Sequence, residues 1–336
     1  MTHGEINVTN WMTSNWDLIA SRKLSQVCLP TSHDSGTFIH TLGTVFGTER
    51  VTKTQSYDFG NQIAQGVRSF DIRPAWVDTG IIQGWYTAHS SKLPVIGVQG
   101  AVGANLATAF TQMSTFFSDA SNNKELLILN LSHFIDWNTG KMLSKAQMAT
   151  LFDLIRKHIG HLLVKANDDQ LNLAGETMES LLAKGNIIVL IDDDYPLDAG
   201  ASKFGFWTNK NLPINGSYAN TNNVNQMIQD QRAKMEEYQH SDQQDFLMSI
   251  SWQLTLQGTQ NVPGRSISIL DLAAQANIKM LPTLTGWLAD KTINTQIYPN
   301  LLQTDNCGIG FLQSDQPDEG YSVVDFCLKL MKTLNF

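Results

Sequence analysis

Cysteine is scarce in this chain and charge is thin. The 336 residues hold three cysteines, Cys28, Cys307 and Cys327, with no CxxC pair and no regular spacing. An odd, sparse set builds neither a disulfide framework nor a zinc site, so these thiols are expected in the core. Charged residues make up 16% of the chain and the net charge is −8, so the basic footprint that a nucleic-acid partner requires is missing. The same balance offers no general attraction to anionic membranes, so any membrane-surface contact has to be local and transient. No apolar run reaches the ~18 residues of a spanning helix. The first residues, Met1 to Glu5, lack a basic stretch leading into an apolar one, so no secretory signal is expected either. The chain reads as soluble, with cytoplasmic residence and a non-standard secretion route both open. No Pro/Gly/Ser linker divides it, and a single domain over 1–336, acting as a monomer, is the expectation.

What is present is a globular composition, 42% hydrophobic, laid out as strand-like runs that alternate with helical ones. Strands are expected at 24–29, 67–76, 81–88, 125–134, 186–193, 246–255 and 308–313, rich in Ile, Val, Leu, Phe and Trp and bounded for the most part by turn residues. The clearest helix runs over 144–164, where Ser144 and Gln147 form a capping box ahead of an apolar stripe from Met148 to Leu162. Further helices are expected at 176–184, closed by Gly185, and at 321–334. Such alternation implies a parallel sheet, open or closed into a barrel. The Asn- and Gly-rich stretch 199–225 reads as a long insertion loop.

Four places carry candidate chemistry. The first strand runs into Ser32-His33-Asp34-Ser35-Gly36-Thr37, beyond the strand end where α/β sites form; a plain loop histidine with a capping aspartate reads as well. In Phe70-Asp71-Ile72-Arg73 the period of two puts Asp71 and Arg73 on one face, and an inward ion pair there is costly unless used or well bonded. A buried pair that only holds a barrel together fits equally. His89 closes the next strand, and two imidazoles flanking a phosphate can supply base and acid. Asp315, after the apolar run 308–313, could hydrogen-bond His33 and fix its tautomer.

Together with Tyr57-Asp58-Phe59, these stretches resemble the phosphatidylinositol-specific phospholipase C X-domain family, in its bacterial, metal-independent form. The resemblance implies a distorted TIM barrel that cleaves the glycerol–phosphate bond of an inositol phospholipid to diacylglycerol and a cyclic inositol phosphate. It implies His33 as general base oriented by Asp315, His89 as general acid supported by Asp34, Arg73 as the phosphoryl clamp and Asp71 as the shaper of that cluster. No cofactor is implied. Calcium-dependent relatives carry an Asn after the first His and a carboxylate at the place of Arg73; a guanidinium there cannot coordinate calcium but can clamp phosphate, so no metal is expected. The basic residues that hold the head group in strictly phosphatidylinositol-specific members are missing. Their places read Leu131-Ser132-His133-Phe134 and Ile191-Asp192-Asp193-Asp194, which leaves His133 as a candidate head-group contact and the head group itself open. Trp207, in the long loop, is a candidate lipid contact, with core packing as the competing reading. His158 and His161 lie three apart on a helix but lack a third ligand.

Overall fold

The computed structural model describes residues 7–93, 97–192, 195–240, 245–258, 267–308 and 322–336. Its strands are β1 (Leu29–Ser32), β2 (Leu42–Gly43), β3 (Ser69–Ile72), β4 (Pro74–Asp78), β5 (Gln83–Leu93), β6 (Gly97–Asn105), β7 (Leu127–Leu131), β8 (Ile135–Asp136), β9 (Ile187–Ile191), β10 (Phe206–Thr208), β11 (Ile214–Asn215), β12 (Leu247–Trp252) and β13 (Leu301–Thr304). Eight of them form one sheet in the order β10-β9-β7-β3-β1-β13-β12-β11, and every neighbouring pair is parallel. That order is the chain order read around a circle, with β13 returning to β1 and the ring open between β10 and β11 among the described residues. The fold is a distorted TIM barrel.

Why these segments become barrel strands is visible in their side chains. β9, Ile187 to Ile191, is apolar and buried throughout, as a strand covered on both faces must be. Its residues alternate: Ile187, Val189 and Ile191 pack towards Phe110, Leu151 and Ile155 of the surrounding helices, while Ile188 and Leu190 join Leu29, Ile128, Leu247 and Leu301 in a separate layer. Neighbouring strands contribute alternate residues to that second layer, which fills the barrel. The helix Lys145–Ile159 is capped by Ser144, whose hydroxyl accepts from Gln147 N at 3.2 Å while Gln147 Oε1 accepts from Ser144 N at 2.8 Å. It buries Met148, Leu151, Ile155 and Ile159 and stops at Gly160, short of the expected 164. Beyond it the chain turns extended, Val164 N bonding Ile187 O at 2.8 Å.

Three expectations need correction, the first at 24–29, where Leu24–Gln26 is a 3-10 turn and the strand, β1, starts only at Leu29. The run 67–76 is two strands, not one: β3 ends at Ile72 and β4 begins at Pro74, in a second sheet of order β2-β6-β5-β4-β8. Arg73 is the hinge between the sheets, and Pro74, with no N–H to give, suits the break. The stretch 199–225 is not a plain insertion loop. It holds a turn at Ala201–Phe204, both short strands β10 and β11, and the start of the helix Val224–Glu237; strands of three and two residues among Asn and Gly leave no periodic signal. The last described strand is β13, ahead of the run 308–313. Apart from Gly308, which lies in a turn, that run is outside the described residues, as is Asp315.

Candidate active site

The site forms where β1, β3 and β13 end, joined by β5 of the second sheet. β1 and β13 pair up to Ser32 and Thr304, and His33 N continues the ladder to Thr304 O at 3.1 Å. Asp34 then takes a left-handed backbone, φ 43°, held by its N–H to Asp71 Oδ2 at 3.2 Å and by the Thr37 hydroxyl on its carbonyl at 2.9 Å. Aspartate tolerates this conformation better than most residues. Gly36 follows because the loop runs against β5: a Cβ there would lie 2.3 Å from the Thr87 side chain.

His33 Nδ1 lies 2.7 Å from Asp305 Oδ1, and Arg73 Nη2 lies 3.0 Å from His33 Nε2. A carboxylate only accepts and a guanidinium only donates, so the neutral ring carries its proton on Nδ1 and presents the Nε2 lone pair to Arg73. Arg73 also donates through Nη2 to Asp71 Oδ2 at 3.2 Å and sets Nε 2.6 Å from Asp34 Oδ1. That last contact is a close ion pair without an aligned hydrogen bond, and neither Asp34 oxygen accepts one in the described structure. Asp34 Oδ2 faces both imidazoles, 3.7 Å from His33 Nε2 and 3.5 Å from His89 Nδ1. His89 Nδ1 bonds Thr52 O at 3.1 Å, and no hydrogen bond engages Nε2 among the described residues.

Electrostatics separate the two imidazoles. Burial alone disfavours the His33 imidazolium, but Asp305 and then Asp34 outweigh it, and His33 is raised to about 8. Protonated, its Nε2–H must turn from the guanidinium towards Asp34 or Asp71. His89 moves the other way: burial, with Arg73 and His33 adding to it, outweighs Asp34 and lowers its pKa. Burial also opposes the charged forms of Asp71 and Arg73, yet their mutual attraction and that of His33 and Asp34 prevails, lowering Asp71 and raising Arg73.

His33, Asp34 and Asp71 offer ligand atoms within 4.8 Å of one another, a spacing a metal ion could use. The donor set does not fit one, because the Arg73 guanidinium already pairs with both carboxylates and stands where a cation would bind.

No protein-family model matches the chain. In sequence, 151 residues are 26% identical to the PI-PLC X domain-containing protein 3 of Danio rerio and 25% identical to that of Bos taurus. The matched stretch is 39% of this chain and 43% of either relative, so less than half the length of those proteins is covered. In structure, a mutant of the phosphatidylinositol-specific phospholipase C from Staphylococcus aureus matches at a TM-score of 0.63 and 16% identity, over 97% of this chain and 96% of that one. The phosphatidylinositol-specific phospholipase C from Listeria monocytogenes matches at 0.60 and 15% identity, over 98% and 100%. A third structure, on modulation of membrane binding by the Staphylococcus aureus enzyme, matches at 0.60 and 16% identity over 97% of both chains. The chain has the phosphatidylinositol-specific phospholipase C fold.

On this phospholipase C fold, the structure brings His33, Asp34, Asp71, Arg73 and His89 together, with His89 inside the long strand β5 rather than at a strand end. Asp305 stands where Asp315 was expected, against His33 Nδ1. The signal was the acidic residue right after Leu301-Leu302-Gln303-Thr304, a half-polar run overshadowed by the more apolar one that follows it. His133 sits at the exposed end of β7 with φ 54° and Ser132 Oγ 2.8 Å from its Nδ1. Asp192 closes β9, while Asp193 and Asp194 lie outside the described residues. Trp207 is not a lipid contact: it is 1% exposed in the barrel's inner layer, its indole N–H bonded to Val164 O at 2.9 Å. His158 pairs with Thr111 Oγ1 at 3.1 Å and no metal cluster includes it among the described residues.

Proposed function

We propose that this chain is a phosphodiesterase of the phospholipase C type, cleaving phosphatidylinositol or a related glycolipid to diacylglycerol and a cyclic inositol phosphate. The observation that carries the reading is Arg73, whose guanidinium touches His33 Nε2 and the carboxylates of Asp34 and Asp71 at one point. A phosphate entering there meets a planar cation able to take two of its oxygens. His33 Nε2 removes the proton of the inositol 2-hydroxyl as that oxygen attacks its own phosphorus. The phosphorus–glycerol oxygen bond breaks, and His89, through Nε2, returns a proton to the leaving oxygen. Asp305 holds the His33 tautomer and balances the imidazolium that forms. Asp34 lies beside both rings and Arg73, and Asp71 keeps the guanidinium in plane.

A lipid surface as the source of substrate is supported beside the site. The segment after the His33 loop leaves Ile39, Val45 and Phe46 exposed at 48, 80 and 41%, and β2 within it pairs with β6, the neighbour of the His89 strand. Among the described residues no helix is long and apolar enough to cross a membrane, so this reading has the protein approach the bilayer from outside. The test is incubation with mixed phospholipid vesicles in EDTA, with the water-soluble product identified by mass. A cyclic inositol phosphate is expected. Turnover that stops on chelation points to a metal-dependent phosphodiesterase, and vesicle binding without product points to a lipid-binding barrel.

A further inference from the structure

His33 and Asp305 belong to loops 272 residues apart in sequence, and the β1–β13 ladder ends just before both. Their 2.7 Å contact therefore needs something to set the distance between two strand ends. We infer that Gln55 is the positioning residue that does so, a buried clamp across the loops that carry His33 and Asp305.

Gln55 is fully buried. Its Nε2 donates to His33 O at 2.7 Å and to Thr304 O at 3.1 Å, and its Oε1 accepts from Cys307 N at 2.9 Å. One amide has two N–H groups and one carbonyl, and here each is spent on the backbone of the two loops. Thr54 repeats the stitch one residue earlier: its hydroxyl bonds Asp34 O at 3.0 Å and its carbonyl accepts from Asn306 N at 2.7 Å. Asn277 holds Asp305 from the other side, donating through Nδ2 to its carbonyl at 3.0 Å. Among the described residues the loop after β13 is bend and turn rather than strand or helix, so the clamp decides how far Asp305 reaches.

The residue type is dictated by the geometry. Asparagine is one methylene short, glutamate would set an oxygen against two carbonyl oxygens, and an apolar side chain takes one donor from each of two carbonyls and leaves the buried Cys307 N–H without its partner. Gln55 makes no hydrogen bond to a reacting side chain, so it acts through His33. The charged groups facing that ring are Asp305, Asp34, Asp71, Arg73 and His89, and Asp305 alone of the carboxylates bonds it directly.

The inference rests on His33 being the base, but its test has a readout that does not depend on substrate. In Gln55→Ala, the His33 titration midpoint in the free protein, followed by NMR, is expected to fall from about 8 by about one unit as Asp305 drifts away. Turnover of phosphatidylinositol is expected to drop ~10²-fold with KM little changed, the cost of a misplaced base. If Gln55→Ala does not fold, Gln55→Met keeps the volume, removes the same bonds and is read in the same way. A folded variant that melts earlier but keeps the His33 midpoint and turnover overturns the inference, because Gln55 is then only packing. Absence of turnover in the unmodified protein overturns the proposed function instead and leaves the titration to decide on the clamp.

Discussion

His33 and Asp305 show how a few ångströms distribute chemistry among ordinary residues. Removing the charge while keeping the shape, Asp305→Asn, is expected to cut turnover ~10²-fold or more, because the tautomer and the forming imidazolium both lose their anchor. Asp315→Asn is expected to stay within a few-fold, since Asp305 already occupies the orienting place; kinetics on the two variants, side by side, check this. The reverse result would return the role to Asp315. The opposed shifts of the two imidazoles also set a pH profile. Reaction needs one proton on the pair, carried by His89 while His33 is neutral; the opposed shifts make that the minor of the two singly protonated forms and leave the pH limits of the pair unchanged. Above about 8 both rings are neutral and the acid is lost; below the lowered value of His89 both are charged and the base is lost. The profile of kcat/KM is expected to be a bell with its basic limb near 8, its two limbs belonging to the pair rather than to either ring. A profile still rising above pH 9 contradicts it.

Elements explain which parts of this arrangement could be read in advance. The motif His33 to Thr37 and the alternation Asp71/Arg73 are legible because a strand end and a period of two are local properties. Parallel strands such as β9 are legible because burial on both faces demands an unbroken apolar run. What was not legible depends on pairing at a distance. β10 and β11 exist because β9 and β12 offer edges, β13 is half polar yet is an interior strand of the sheet, and Asp305 faces His33 only once β1 and β13 are in register. Trp207 looked like a loop residue because its three-residue strand carries no periodicity. The element that follows the His33 loop supports a prediction at this scale. Val45→Asp together with Phe46→Asp is expected to weaken binding to phospholipid vesicles at least ~10-fold, as losing the burial of one or two apolar side chains implies. Turnover of a water-soluble inositol phosphodiester should stay near that of the parent. Unchanged vesicle binding would move the interface elsewhere.

The molecule as a whole divides its labour between the two ends of the barrel. The end where strands finish carries the strained and charged residues; the end where they begin carries interactions that hold the fold. There Arg68 and Glu125 form a fully buried pair with Nη2 to Oε2 at 2.7 Å, tied to the N-terminal segment through Thr9 O and Thr13 N. His240 stacks between Phe246 and Tyr298, at 4.5 and 3.8 Å between ring centres, with Nε2 on Tyr298 O at 3.1 Å. Burial lowers its pKa to about 4, against the pull of that carbonyl and Asp245. A histidine depressed below its unfolded value near 6.5 costs nothing above that pH, where it is neutral in both states. As pH falls from 6.5 towards 4 the unfolded chain binds the proton first, and roughly 3 kcal/mol of stability is lost. Denaturant unfolding across that range should show the loss in the parent and a flatter response in His240→Phe. Equal slopes would mean the stacked ring already binds its proton in the folded state. His33 acts in the opposite direction: its raised value adds stability below 6.5 that is lost as pH climbs through about 8.

One displacement at phosphorus, served by two imidazoles that face Asp34 beside Arg73, is the claim from which the rest descends. Its most direct test is single-turnover and steady-state cleavage of phosphatidylinositol by His33→Ala and His89→Ala, each shown by circular dichroism to be folded. Both are expected to lose ~10²–10⁴-fold in kcat. Near-parental kcat in either folded variant would contradict the account.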